Sequence, residues 1–268
     1  MVMTYPSMSS EWILITGASA GIGEVFAKRF AALTHPLVLV ARSVEKLQTL
    51  ARQLESAHKI KTSVIQADLT DRTAPKGIAE ELGRQGIQLY GLVNNAGCGA
   101  GGQFVEVTRD RHLNVIDLNI RSLVELTHLF LPGMIERKKG FVINVSSTAS
   151  FQPIPYSSVY SASKAFVSFF SEALWLETKN TGVRVLNLCP GLTKTDFGKT
   201  AKMGDFHSDR MAELPEQVVE TALNALKKNV PTVISGWHNR LLAGLERFVP
   251  HRILLWGSLA FQNSRKRG

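Results

Sequence analysis

The chain has little cysteine, two residues in 268, Cys98 and Cys189. That excludes a disulfide-stapled scaffold and a cysteine-built zinc site, and both thiols are expected to be packing residues in a reducing compartment. Its seven histidines are scattered, with no two at zinc-ligand spacing around a glutamate, so no metal is expected. No stretch approaches the ~18 uninterrupted apolar residues of a membrane-spanning helix. The start, "MVMTYPSMSSEWILITG", lacks the basic-then-apolar order of a signal peptide, and a cytoplasmic location is expected. Internal repeats, low-complexity blocks and Pro/Gly-rich linkers are also missing.

Acidic charge is in deficit as well: the formal net charge is +9. From Trp237 onward six basic residues (Arg240, Arg247, Arg252, Arg265, Lys266, Arg267) face one acid, Glu246, so +5 of that excess lies in the tail. No nucleic-acid-binding motif accompanies it, and no nucleic-acid partner is expected.

What is present is an alternation. Short apolar runs at 12–16, 37–41, 62–67, 89–94, 141–145 and 183–188 read as buried parallel strands, with "TVIS" (232–235) as a candidate seventh. Amphipathic helical stretches separate them. The pattern predicts an α/β fold, a doubly wound parallel sheet with helices on both faces. Length and composition, with 44% hydrophobic residues, suit one domain over 1–236.

After the first strand comes "TGASAGIGEVF". Gly17, Gly21 and Gly23 let the backbone turn tightly and approach a diphosphate at a helix N-terminus, with Ile22 and Ser19 beside it. The spacing is G-x-x-x-G-x-G, but its place between strand and helix supports dinucleotide binding. Where an NAD site usually offers an acid, this chain has Arg42. A guanidinium pairs with a 2′-phosphate that a carboxylate would repel, so NADP(H) is the expected cofactor. Asp68, after the third strand, either accepts a hydrogen bond from an adenine amino group or caps the following helix. Asn95, Ala96 and Gly97, in "NNAG", place amide and small residues where the sheet edge would meet the cofactor.

Between Pro190 and Pro215 the periodicity fails, and the polar, Gly-interrupted segment 192–214 reads as a substrate lid or a surface loop. In the extension 237–268, Leu241, Leu242, Leu245, Phe248 and Val249 repeat as one helix face before Pro250. Such a stripe either packs on the protein or lies in a membrane interface.

Tyr160 and Lys164 stand four apart in "SSVYSASKAF", one helix face if helical. A cation beside a phenol lowers its pKa from the usual value of about 10, which would make a tuned acid. A lysine lying along a helix surface gives the same spacing.

Together "TGASAGIG", "NNAG", "INVSS", "YSASK" and "PG" followed by "TKT" resemble the short-chain dehydrogenase/reductase family. The resemblance implies a single Rossmann domain with a seven-stranded sheet. It also implies metal-free hydride chemistry between a nicotinamide cofactor and a carbonyl or alcohol, here a small and hydrophobic one. Tyr160 and Lys164 match the family's catalytic pair, Ser147 rather than Ser146 its serine, and Asn119 its helix-bending asparagine. Pro190, Gly191 and Thr193 match the segment against the nicotinamide, and the backbone of Ile120 and Val145 would line the cleft. Self-pairing into dimers or tetramers through the helices around 109–136 and 157–179 is implied likewise. A non-catalytic cofactor-sensing module is the competing reading, although the catalytic residues are all retained.

Overall fold

The computed structural model describes residues 11–246 and 248–265. The expectations drawn for the start of the chain, for Arg247 and for the basic end at Lys266 and Arg267 fall outside those residues. Seven strands form one parallel sheet: β1 (Trp12–Thr16), β2 (Leu37–Ala41), β3 (Thr62–Gln66), β4 (Leu89–Asn94), β5 (Gly140–Val145), β6 (Val183–Cys189) and β7 (Thr232–Ile234), in the order β3-β2-β1-β4-β5-β6-β7. The six expected strands and the candidate seventh are all present, with ends moved by at most one residue.

Strand side chains alternate between two cores, as the two-residue period requires. Ile13 and Ile15 of β1 pack with Phe26 and Phe30 of α1 (Gly21–Ala32), Leu47 and Leu50 of α2 (Val44–His58), and Val218 and Ala222 of a later helix, Pro215–Lys228. Leu14 faces the other way, toward Ile78 and Leu82 of α3 (Ala74–Arg84) and, further along, Leu126 and Met134. Both faces of the sheet are thereby buried, which is why its strands read as unbroken apolar runs.

The long helix expected near 109–136 is interrupted. α4 (Arg109–Ile116) and α5 (Ser122–Glu136) are joined by a π-helical segment, Asp117–Arg121, centred on the buried Asn119. Such a widened turn lets one side chain leave the helical register and is common at functional sites. α6 (Ser158–Glu177) lies against β5 and β6, where its small buried Ser171 accepts from Asn144 and Ser168 meets Ser146 and Cys189. The remaining helices are α7 (Phe197–Thr200), α8 (Pro215–Lys228), α9 (Trp237–Glu246) and α10 (His251–Arg265). α9 stops at Glu246, so Phe248 and Val249 sit in a turn, their N–H groups donating to Leu245 O and Glu246 O. The expected five-residue stripe is therefore cut short three positions before Pro250.

Strand order reverses between β1 and β4, and in open α/β sheets ligands bind at the carboxyl ends of the strands beside that point. The cleft is there.

Candidate active site

Thr16, at the end of β1, is the hub of the first half of the cleft. Its hydroxyl donates to Val93 O at 3.2 Å and accepts from the backbone N–H of Asn95 (3.0 Å) and Ala96 (2.9 Å). The Asn95 amide returns the tie, donating to Thr16 O at 2.8 Å. Gly17 and Gly21 adopt left-handed φ of 66° and 58°, a region that side chains rarely enter. A Cβ at Gly23 would overlap Gly17 O, so Gly23 does not line the cleft. It seats the helix under the loop. Helix α1 starts at Ala20 with no side-chain cap, leaving its first N–H groups open to an anion.

The cleft encloses about 1940 Å³, more than the ~300–1,000 Å³ of a pocket for one small ligand. Ser19, Ile22, Arg42, Asp68, Ala96 and Gly97 border it at this end. Arg42 is exposed and, among the described residues, enters no ion pair. Asp68 does not cap α3, which starts six residues later at Ala74. It closes a tight turn instead, its Oδ1 accepting from Thr70 N (3.0 Å) and Thr70 Oγ1 (2.8 Å). A large cleft, an uncapped helix start and an unpaired guanidinium fit a phosphorylated dinucleotide.

The second half is built on β5 and α6. Ser146 turns inward, donating to Lys164 O at 2.8 Å. Ser147 faces the cleft, as Tyr160 does, and its Oγ accepts from Ala149 N at 3.1 Å. Lys164 is buried and donates from Nζ to Val145 O at 2.8 Å; Nζ lies 5.9 Å from the Tyr160 ring centre. Burial pushes the Tyr160 phenol up to about 12, against the pull of Ser147. Burial also lowers the Lys164 ammonium to about 8. Neither group is stabilised by direct contact with the other, so desolvation decides both.

Asn119 does not reach the cleft wall. Both its amide protons are committed, to Cys98 O and Ser163 Oγ, each at 2.9 Å, and Oδ1 accepts from Cys98 N at 2.9 Å. A Cβ at Gly97 would lie 3.3 Å from Asn119 Oδ1 and 3.4 Å from Lys164 Nζ, so the bare glycine leaves open the space these two groups flank. Burial raises the thiols of Cys98 and Cys189, the latter to about 11, which makes them poor nucleophiles.

Pro190, Gly191 and Thr193 follow β6 and border the cleft, the Thr193 hydroxyl donating to Gly191 O at 3.1 Å. Segment 192–214 leaves and returns through one neck, where Glu213 N donates to Leu192 O and Lys194 N to Glu213 O, both 2.9 Å. The Glu213 carboxylate accepts from Ser235 Oγ at 3.0 Å and Asn239 Nδ2 at 3.4 Å, tying that neck to α9. At its far side Arg111 donates to Thr200 O at 2.7 Å, and the Phe197 ring sits 5.5 Å from that of Tyr160. Thr16, Arg111 and Glu213 escaped the sequence reading; only a polar residue ending a β-run hinted at Thr16.

The family model for short chain dehydrogenase matches residues 11–205. The chain belongs to that family. Very-long-chain 3-oxoacyl-CoA reductase of Anas platyrhynchos is 37% identical over 197 residues, which cover 71% of this chain and 62% of that protein. Inactive hydroxysteroid dehydrogenase-like protein 1 of Homo sapiens is 29% identical over 260 residues, 96% of this chain and 77% of that one. Among solved structures, a short-chain dehydrogenase from Sphingobium yanoikuyae in complex with NADPH superposes with TM-score 0.80 at 31% identity, covering 90% of this chain and 96% of its own. As a short-chain dehydrogenase, the protein is an oxidoreductase by family, built as one Rossmann domain.

Proposed function

We propose that this short-chain dehydrogenase uses NADP(H) to interconvert a carbonyl and an alcohol on a hydrophobic small molecule, with Ser147, Tyr160 and Lys164 as the catalytic residues. The observation that carries the reading is that Ser147, Tyr160 and the buried Lys164 border one cleft, with Lys164 Nζ held on Val145 O and 5.9 Å from the Tyr160 ring centre. A bound nicotinamide supplies or takes the hydride. The phenol stays protonated at neutral pH and is available as general acid to a carbonyl oxygen gaining charge. Ser147 donates to that same oxygen, a contribution worth about 3 kcal/mol in other enzymes. Lys164 uses one of its three donors on Val145 O; the others serve ribose hydroxyls and draw the phenol back toward the working range once water is excluded. Asn119, in the π-helical turn, holds in this reading a water that reconnects Lys164 with solvent protons. Arg42, with Ser19 beside it, takes the 2′-phosphate; Gly17, Gly21, Ile22 and the open start of α1 cradle the diphosphate. Asp68 keeps Oδ2 for the adenine amino group, and Pro190, Gly191 and Thr193 hold the nicotinamide end.

Residues 192–214 act as the lid in this reading and 237–268 as an extension beside the substrate. Exposed Trp237, Leu241, Leu245, Phe248 and Trp256, flanked by Arg240 and Arg252, suit a peripheral contact with an anionic membrane. No described helix is long and apolar enough to cross one. Exposed Phe166, Phe169 and Leu176 on α6 and Leu129 on α5 suit pairing with a second copy.

The competing reading, a cofactor sensor, gains weight from the human relative named inactive and loses it because Ser147, Tyr160 and Lys164 are all retained. The test is consumption of NADPH, and separately NADH, over a panel of apolar aldehydes and ketones and 3-oxoacyl compounds. Turnover that prefers NADPH and disappears in Tyr160→Phe supports the oxidoreductase. Tight NADPH binding with no turnover of any compound favours the sensor.

A further inference from the structure

Glu246 lies on α9 seven residues after Asn239, so the two share a helix face about two turns, ~10 Å, apart. Asn239 packs at Gly191. Glu246 borders the cleft further out, with Leu242 and Ala243 of the same helix. The residue is half-buried; its Oε2 is buried and, among the described residues, has no hydrogen-bond partner. Burial raises the carboxyl above its ordinary value. The other tail helix adds an amide. Ser258 Oγ donates to Pro153 O at 3.1 Å, which pins α10 to the loop entering α6, and Gln262, one turn on, borders the cleft.

A buried carboxylate oxygen without a partner is costly, and no described residue offsets that cost. The group is an acceptor only. A hydroxyl satisfies it, whereas a second carboxylate or a phosphate is repelled. Leu242, Phe206 and Met211 give the same cleft an apolar lining.

We propose that Glu246 is the specificity-determining residue of the substrate end, accepting a hydrogen bond from a distal hydroxyl of an otherwise apolar carbonyl compound and turning away compounds with an anion at that position. The substrate class is then a hydrophobic ketone or aldehyde that carries a hydroxyl at the end away from its carbonyl. The inference rests on the oxidoreductase reading above for which end of the molecule reacts.

Ketones matched except for a distal hydroxyl, methyl or carboxylate group test it. Calorimetric titration into NADPH-saturated Tyr160→Phe protein, and into the Tyr160→Phe/Glu246→Gln double variant, reads binding without turnover. The hydroxyl compound is expected to bind about ten- to a hundredfold more tightly than the carboxylate compound, and Glu246→Gln to shrink that ratio by about tenfold or more. Equal affinities in the first protein, or an unchanged ratio in the second, overturn the proposal. If the double variant melts early, Glu246→Asp replaces it: the withdrawn carboxylate is expected to bind the hydroxyl compound more weakly, and an affinity pattern identical to the parent's overturns the proposal. Wild-type turnover runs in parallel. Its absence on every ketone would break the oxidoreductase reading while leaving the binding ratio to stand or fall on its own.

Discussion

The two ends of the cleft are built on different principles. At the glycine-loop end the polar groups are tied to backbone at the strand ends: Thr16 to Val93 O and Asn95 to Thr16 O. At the other end, distant segments meet through single side chains: Arg111 on Thr200 O, Glu213 on Ser235 and Asn239, Ser258 on Pro153 O. Buried atoms without partners occur here too, Arg111 Nε and Glu246 Oε2. The first end is rigid because each bond closes a short path in the sheet. The second can change its residues without disturbing the sheet, which is how one fold serves many substrates.

The contrast can be broken in four places. The largest expected effect is at Ser147: Ser147→Ala should cut kcat by about 10²–10³ while NADPH affinity, read by fluorescence titration, changes little. A matching loss of NADPH affinity would mean that the serine supports the loop rather than the reaction. Next comes Arg42→Asp, which removes an attraction and adds a repulsion. The NADPH-over-NADH preference in kcat/KM should fall by about a hundredfold, and an unchanged preference would remove Arg42 as the selector. Thr16→Val leaves its hydroxyl's three partners unsatisfied and should cost about 1–3 kcal/mol in denaturant unfolding, against at most about 1 kcal/mol for Arg111→Ala. The reverse order would erase the difference in rigidity. The smallest effect is on pH. Reduction needs the Tyr160 proton, held to about 12, and the charged form of Lys164, whose pKa is lowered to about 8. The rate of reduction should therefore be level at neutral pH and decline as pH rises through about 8; a rate rising through that range would assign the titration to another group.

Legibility followed the same divide. The strands were readable because a sheet covered on both faces leaves uninterrupted apolar runs. Gly17 and Arg42, read from their places after strands, and Ser147 and Tyr160, read through the family resemblance, all border the cleft. The interruption of the helix at Asn119 was legible only through the family resemblance, since nothing in "DLNI" itself departs from helical periodicity. The rise in Tyr160's pKa was not legible: four-residue spacing shows which face two groups share, but not how deep they lie. Glu246 and Gln262 stayed hidden because their meeting at the cleft depends on where α9 and α10 pack, more than fifty residues beyond the last recognisable motif but one, "YSASK". Glu213 was hidden for a related reason, since the neck it closes joins the two ends of an aperiodic segment.

Transfer of deuterium from NADPH labelled at the reactive nicotinamide carbon to the carbonyl carbon of an apolar ketone, followed by mass spectrometry of the alcohol, tests the central claim most directly. The account predicts a singly deuterated alcohol with wild-type protein and none above background with Tyr160→Phe at equal NADPH occupancy. Saturated NADPH with no deuterated alcohol from any ketone on the panel, or equal deuteration by the two proteins, would contradict it.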